Sequence, residues 1–182
     1  MQVDWRGVFP AATTQFAPDL SIDIAETQRV QDALIRDGVH GLIIMGTVGE
    51  NNSLEPDEKR AVLSAAVETA DKRVPVLVGV SEFDTNRAIA FAREAEKIGA
   101  DGLMLLPAMV YVPTEAELVA HFKAVAEQTG LPIMLYNNPP AYRVSVGIEA
   151  IKQLADIPNI VCLKESAPDT RRFTDLYNAV GD

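Results

Sequence analysis

The chain has 182 residues, 48% hydrophobic and 23% charged, with a formal net charge of −10. These proportions fit one globular domain of ordinary size with a sizeable core. The charge speaks against a nucleic-acid binder, which needs a basic face to meet phosphates. The longest apolar runs, "GLIIMG" and "GLMLLPAMVYV", fall short of the roughly 18 residues a membrane helix needs.

A single cysteine, Cys162, leaves no internal disulfide, and the two histidines, His40 and His121, stand far apart with no ligand spacing. No metal site and no cofactor are therefore expected. The start "MQVDWRGVFP" carries Asp4 and Trp5 and has no long apolar core, so it does not read as a signal peptide. The expectation is a cytoplasmic protein whose partners are small molecules, with neither nucleic acid nor membrane among them.

Taken in chain order, a first strand is predicted over Gly7–Ala12, then a helix in "SIDIAETQRVQDALIRDG" with Ile24, Val30, Leu34 and Ile35 on one side. A strand at Gly41–Met45 precedes "EPDEKRAVLSAAVETA", whose Pro56 suits a first helical turn and whose acids suit the helix dipole. Strand Val76–Val80 is followed by helix "TNRAIAFAREAEKIG", and strand Gly102–Leu106 by helix "TEAELVAHFKAVAEQTG". Strand Ile133–Tyr136 leads to helix "GIEAIKQLAD", and strand Ile160–Lys164 to a last helix in "DTRRFTDLYNAV". Glycine ends several helices, as a C-cap of positive φ prefers. The strands are apolar at nearly every position, the signature of parallel strands buried on both faces.

Repeated β-α units about 30 residues long give either an open doubly wound sheet or a closed barrel. The segment after the first strand, "FPAATTQF", has no glycine, which weakens the dinucleotide-binding doubly wound alternative. A (β/α)8 barrel typically takes about 250 residues. Six units over residues 1–182 make a single, partial (β/α)8 TIM barrel, unless the sheet is open.

In both architectures chemistry sits at the carboxyl ends of the strands. Three of those ends carry unusual residues: "GTVGEN" with Thr47, "YNNPPAYR" with Tyr136 and "KES" with Lys164. Side chains alternate along a strand, so Ile160, Cys162 and Lys164 are expected on one face, Val161 and Leu163 on the other. Burial at that strand end disfavours the charged ammonium, and a neutral amine adds to a carbonyl to form a Schiff base. On its own, Lys164 also fits a strand-end lysine whose head reaches water. Tyr136 alone fits a core residue with its hydroxyl at the rim. Gly46 and Gly49 alone fit a turn, or a nest of N–H groups for a carboxylate.

In this order and spacing, "GTVGEN", "LYNNPP" and "CLKES" resemble the dihydrodipicolinate synthase / N-acetylneuraminate lyase family. The resemblance runs from "GVFPAATTQF" to the last helix. It implies a class I, Schiff-base aldolase or dehydratase on a (β/α)8 barrel, acting on pyruvate or another 2-oxo acid, assembled as a homo-oligomer, a tetramer by likeness. It implies that Lys164 forms the imine, that Tyr136 relays protons, and that Thr47 hydrogen-bonds that tyrosine. Gly46, with the peptide N–H groups of Thr47 and Val48, would form the carboxylate cradle.

This sequence departs from the family pattern at Val48, where a second threonine is common, and at Ala141, where synthases carry an arginine. Arg143 lies two positions further on. The aromatic pair expected after the fourth strand reads "PAMVYVP", with only Tyr111 available, out of register. These departures favour a 2-keto-3-deoxy sugar-acid dehydratase or aldolase over a true synthase, with Asn137, Asn138, Tyr142 and Ser166 placed to meet hydroxyls. The alternative is a non-catalytic member or barrel fragment acting as a binding or assembly module.

Overall fold

The computed structural model describes residues 1–181. Five parallel strands form one sheet in sequential order: β1 (Leu42–Ile44), β2 (Val76–Val80), β3 (Gly102–Leu105), β4 (Ile133–Asn137) and β5 (Ile160–Glu165). The connecting helices are α1 (Ile24–Arg36) before β1, α2 (Pro56–Ala70), α3 (Thr85–Ile98), α4 (Glu115–Ala126), the short α5 (Pro139–Tyr142), α6 (Ile148–Ala155) and α7 (Arg171–Val180).

Strand order decides between the two architectures. A doubly wound sheet reverses direction and places helices on both faces. Here every crossover advances by one strand. The residues that α2, α3, α4 and α6 bury, among them Leu63, Phe91, Phe122 and Leu154, pack with Leu42, Val78, Leu105 and Leu135 in one cluster. Ile43, Leu77, Met104, Leu106 and Tyr136 form a separate cluster on the opposite face, closed by Trp5, Phe9, Met134 and Tyr142. Helices outside and a side-chain layer inside are the cross-section of a parallel barrel.

Two expectations fail, each for a local reason. Gly7–Ala12 is not a full strand. It runs parallel to β1 through a single bridge, Ala11 to Ile43, with Ala12 N–H donating to Ile43 O at 2.9 Å. Pro10 has no N–H to continue the ladder, and the Val8 N–H is spent on His40 Nδ1 at 3.1 Å. Five strands and this bridging segment therefore stand where six strands were expected. On β5, the register against β4 shifts between Ile133 and Met134, so that Ile133 faces Ile160 and Met134 faces Cys162. The extra residue flips the alternation. Ile160 consequently packs under the helices with Leu163, not on the face of Lys164. In α1 the buried stripe is Thr27, Gln31 and Ile35, with Ile24 and Leu34 at its margin.

Gly79 is required where β1 turns into its loop. A Cβ there would sit 2.1 Å from Met45 O, a backbone atom that no rotamer change can move aside. Gly79→Ala is expected to cost on the order of 1–3 kcal/mol, the usual penalty for overpacking. A urea midpoint equal to that of the unsubstituted chain would refute this account of the β1–β2 contact.

Candidate active site

Lys164 and Tyr136 are direct partners in the β4–β5 register. Both belong to the inner face, because Lys164 Nζ lies 4.1 Å from the centroid of the Tyr136 ring and 3.9 Å from Met104 Sδ. The ammonium is part-buried, and among the described residues no carboxylate lies within ion-pair distance of it. Lys59 makes the contrast: more deeply buried, at 7% exposure, it is paired with Glu82 at 2.6 Å. Its charge is compensated, as a buried cation's normally is; that of Lys164 meets only a thioether and the face of a ring. Cys162, two residues before Lys164, is a weak competitor as a nucleophile, since burial pushes its thiol up to about 11.

The "GTVGEN" loop leaves β1 through backbone conformations that L residues seldom adopt. Met45 has φ 50° and Glu50 φ 58°, bracketing a 3₁₀ turn at Thr47–Gly49. Neighbouring side chains hold this shape. The Thr14 hydroxyl donates to Gly49 O at 2.7 Å, Asn51 Nδ2 to Gly79 O at 2.9 Å, and Asn52 Nδ2 to Ser81 O at 2.9 Å. Neither the Thr47 N–H nor the Val48 N–H donates to another described residue. Val48 turns its side chain outward.

Thr47 does not bond Tyr136, as the resemblance implied. Its hydroxyl lies 2.5 Å from the Tyr142 hydroxyl. The Tyr136 hydroxyl instead accepts from Asn138 Nδ2 at 2.9 Å. The two tyrosines meet edge to face, centroids 5.8 Å apart at 82°. Burial is the main reason the Tyr142 phenol is held above its ordinary range, and the Thr47 hydrogen bond partly offsets it.

Of the other residues singled out in sequence, Tyr111 is 85% exposed. It shares with Ala141, Tyr142 and Arg143 a small cleft of about 140 Å³ beside the mouth. Arg143 is exposed and left-handed at φ 60°. A larger cleft, of about 590 Å³, lies between α2 and α3 and is lined by neither Lys164 nor Tyr136. Its cations Lys59, Arg60 and Arg87 are all paired with carboxylates. The described residues hold no group of three or more His, Cys, Asp and Glu placed to bind a metal. None of their helices is long and apolar enough to cross a membrane.

Asn137 is corrected from the hydroxyl-binding set. It is 1% exposed and fully engaged: Nδ2 donates to Glu165 Oε1 and Oε2 at 2.8 and 2.9 Å, while Oδ1 accepts from Val146 N at 2.9 Å. Arg172 on α7 closes this network, donating through Nε to Glu165 Oε2 at 2.5 Å and through Nη2 to Val146 O. These residues lie one step along the strands from Tyr136 and Lys164, on the opposite face. No motif advertised them; the outward pairing of an amide with a carboxylate emerges only from the register.

The Arg172–Glu165 pair is 15% and 20% exposed, while the neighbouring Arg171–Asp169 pair is 85% and 50% exposed. Arg172→Met should therefore cost about 1.5–3 kcal/mol in chemical denaturation, as loss of a hydrogen bond to a charged group does. Arg171→Met should stay within about 0.5 kcal/mol. Equal costs for the two substitutions would contradict the network.

Residues 4–182 match the dihydrodipicolinate synthetase family. The chain is 37% identical over 175 residues to the 4-hydroxy-tetrahydrodipicolinate synthase of Desulforamulus reducens, covering 96% of this chain and 59% of that protein. It superposes on the crystal structure of a dihydrodipicolinate synthase from Bacillus anthracis with a TM-score of 0.95 at 32% identity, covering 100% of this chain and 62% of that one. It superposes at 0.92 and 31% identity on YagE, a prophage protein of the family from E. coli K12 in complex with pyruvate, covering 97% and 59%. The chain thus spans about three-fifths of the length of these relatives. Its sheet is part of the TIM barrel they share, and the chain belongs to the dihydrodipicolinate synthetase family.

Proposed function

We propose that the chain carries the imine-forming site of a class I lyase acting on pyruvate or another 2-oxo acid. One observation carries this reading: Lys164 stands at the carboxyl end of β5, on the inner face, part-buried, with the Tyr136 ring and Met104 Sδ as neighbours and no described carboxylate partner. The more deeply buried Lys59 is paired with Glu82, whereas Lys164 is not paired. The pyruvate named for the E. coli relative supports the substrate class.

In this reading the Lys164 amine adds to the keto carbon, and the resulting carbinolamine loses water to give the imine. The keto oxygen must gain two protons on the way out, so a hydroxyl group nearby assists. Tyr136 supplies the phenol closest in register to the amine, and its oxygen is already oriented by Asn138. Loss of a proton from the carbon next to the imine gives an enamine, which attacks an aldehyde in condensation or expels a hydroxyl in dehydration. The free N–H groups of Thr47 and Val48, following Gly46, suit the substrate carboxylate. The exposed run Val110–Val112 beside the mouth suits assembly of copies.

The relatives are named as synthases, yet two positions of this chain favour a hydroxylated 2-oxo sugar acid as the substrate. Ala141 offers no polar side chain to a second carboxylate and Val48 none to the first, and a lost charge-assisted hydrogen bond costs on the order of 1.5–3 kcal/mol. Ser166, Asn138 and Tyr142 surround the strand ends instead. A second reading, a barrel segment that acts only with further chain, is favoured by β5, which pairs on one side alone among the described residues, and by the exposed Phe173 and Tyr177 of α7.

Borohydride reduction in the presence of pyruvate should leave the adduct on the peptide containing Lys164, and Lys164→Ala should abolish it. No adduct on that peptide of the folded chain would end the imine reading. With aspartate semialdehyde as partner, condensation should be weak, and dehydration or cleavage of a 2-keto-3-deoxy sugar acid stronger. Robust condensation that Arg143→Ala removes would instead assign Arg143 to the synthase carboxylate contact.

A further inference from the structure

The Thr47 hydroxyl ends on Tyr142, a residue outside the three motifs that carry the family resemblance. Tyr142 is held from two directions. Its backbone closes α5, with Tyr142 N–H donating to Asn138 O at 3.0 Å and Pro139 and Pro140 stiffening the preceding turn. Its ring stands edge-on to Tyr136, and Tyr136 in turn presents its face to Lys164 Nζ. The phenol oxygen is thereby delivered to Thr47, 95 residues away in sequence, from the same chain.

A hydroxyl can donate one hydrogen bond and accept others. Two hydroxyls in contact can therefore pass a proton along without either ending charged: one gives up its proton as it takes another from its neighbour. Such a chain needs its phenol to stay protonated near neutral pH, and burial acts on Tyr142 in that direction. Packing alone does not explain the contact, because phenylalanine would fill the same edge-on position against Tyr136.

We propose that Tyr142 is a positioning residue for proton transfer in this site, holding the Thr47 hydroxyl in a two-hydroxyl chain whose tyrosine packs edge-on against Tyr136, the ring that faces Lys164. The assignment rests on the imine reading above, and adds a residue and a route that reading does not need. The step it serves is loss of a proton from the methyl carbon of the protonated pyruvate imine: the proton passes along the hydroxyl pair to water, the C–H electron pair forms the C=C bond of the enamine, and the C=N pair returns to nitrogen. The reverse step returns a proton drawn from solvent. In deuterium oxide the returned atom is deuterium, so proton traffic is visible with pyruvate alone, without a second substrate.

The test uses the whole chain with pyruvate and two readouts: the borohydride-trapped adduct at equilibrium, and exchange of the pyruvate methyl protons followed by proton NMR. Tyr142→Phe should still give the reduced adduct on Lys164 while methyl exchange falls about 10²-fold, the low end of general acid–base assistance. Thr47→Val should reduce exchange comparably. The double substitution should be no worse than the poorer single, since the two hydroxyls act as one unit. Unchanged exchange in Tyr142→Phe, or additive losses in the double variant, overturns the assignment while leaving the imine intact. An unsubstituted chain that traps no pyruvate overturns the imine reading and this inference with it.

Discussion

The register between β4 and β5 sets Tyr136 opposite Lys164 and Asn137 opposite Glu165. Because side chains alternate, the first pair meets inside the barrel and the second meets outside. The inner pair provides an amine and a ring face; the outer pair is locked by an amide, a carboxylate and the Arg172 guanidinium. A slip of one residue would exchange the two faces and bury Glu165 against Met104. The bulge at Val161 matters for this reason. It absorbs an extra residue at the start of β5, so that the strand enters with Ile160 under the helices and leaves with Lys164 inside.

The second half of the site depends on backbone conformation. Met45 and Glu50 occupy left-handed conformations that cost energy unless surroundings fix them. Thr14, Asn51 and Asn52 supply that fixation from three separate segments, and Gly79 leaves space for Met45 O. The result is a turn whose first N–H groups and whose Thr47 hydroxyl are both turned away from the loop's own bonding. Rigid support behind a strained loop is how a site keeps its geometry before substrate arrives.

Much of this was legible in sequence. Apolar strand runs separated by amphipathic helices fixed the parallel α/β class, and β2 ends where its run of Val and Leu ends. Lys164, Tyr136 and Thr47 stood out because polar residues at the ends of buried strands need a reason. The first strand looks continuous in sequence because Val8, Phe9 and Ala11 are strand-like, while the interruption comes from Pro10 and from a side chain, His40, contributed by another segment. The Thr47–Tyr142 contact and the Glu165–Arg172 network were invisible for the same reason. Each joins segments whose proximity follows from the strand register, and neither has a local spacing rule.

Net charge and local charge act in opposite directions here. At −10 the chain as a whole repels a 2-oxo acid anion. Screening at physiological ionic strength confines that repulsion to about 8 Å, so an anion that reaches the strand ends responds mainly to the groups there. Those groups are few. Lys59, Arg60 and Arg87 already hold carboxylate partners, whereas Lys164 has none among the described residues. On the reading proposed above, an anionic 2-oxo acid that brings its keto carbon to Lys164 would meet an inner-face cation with no carboxylate partner among the described residues. In the proposed imine reading, that placement would draw such an anion to the lysine nitrogen.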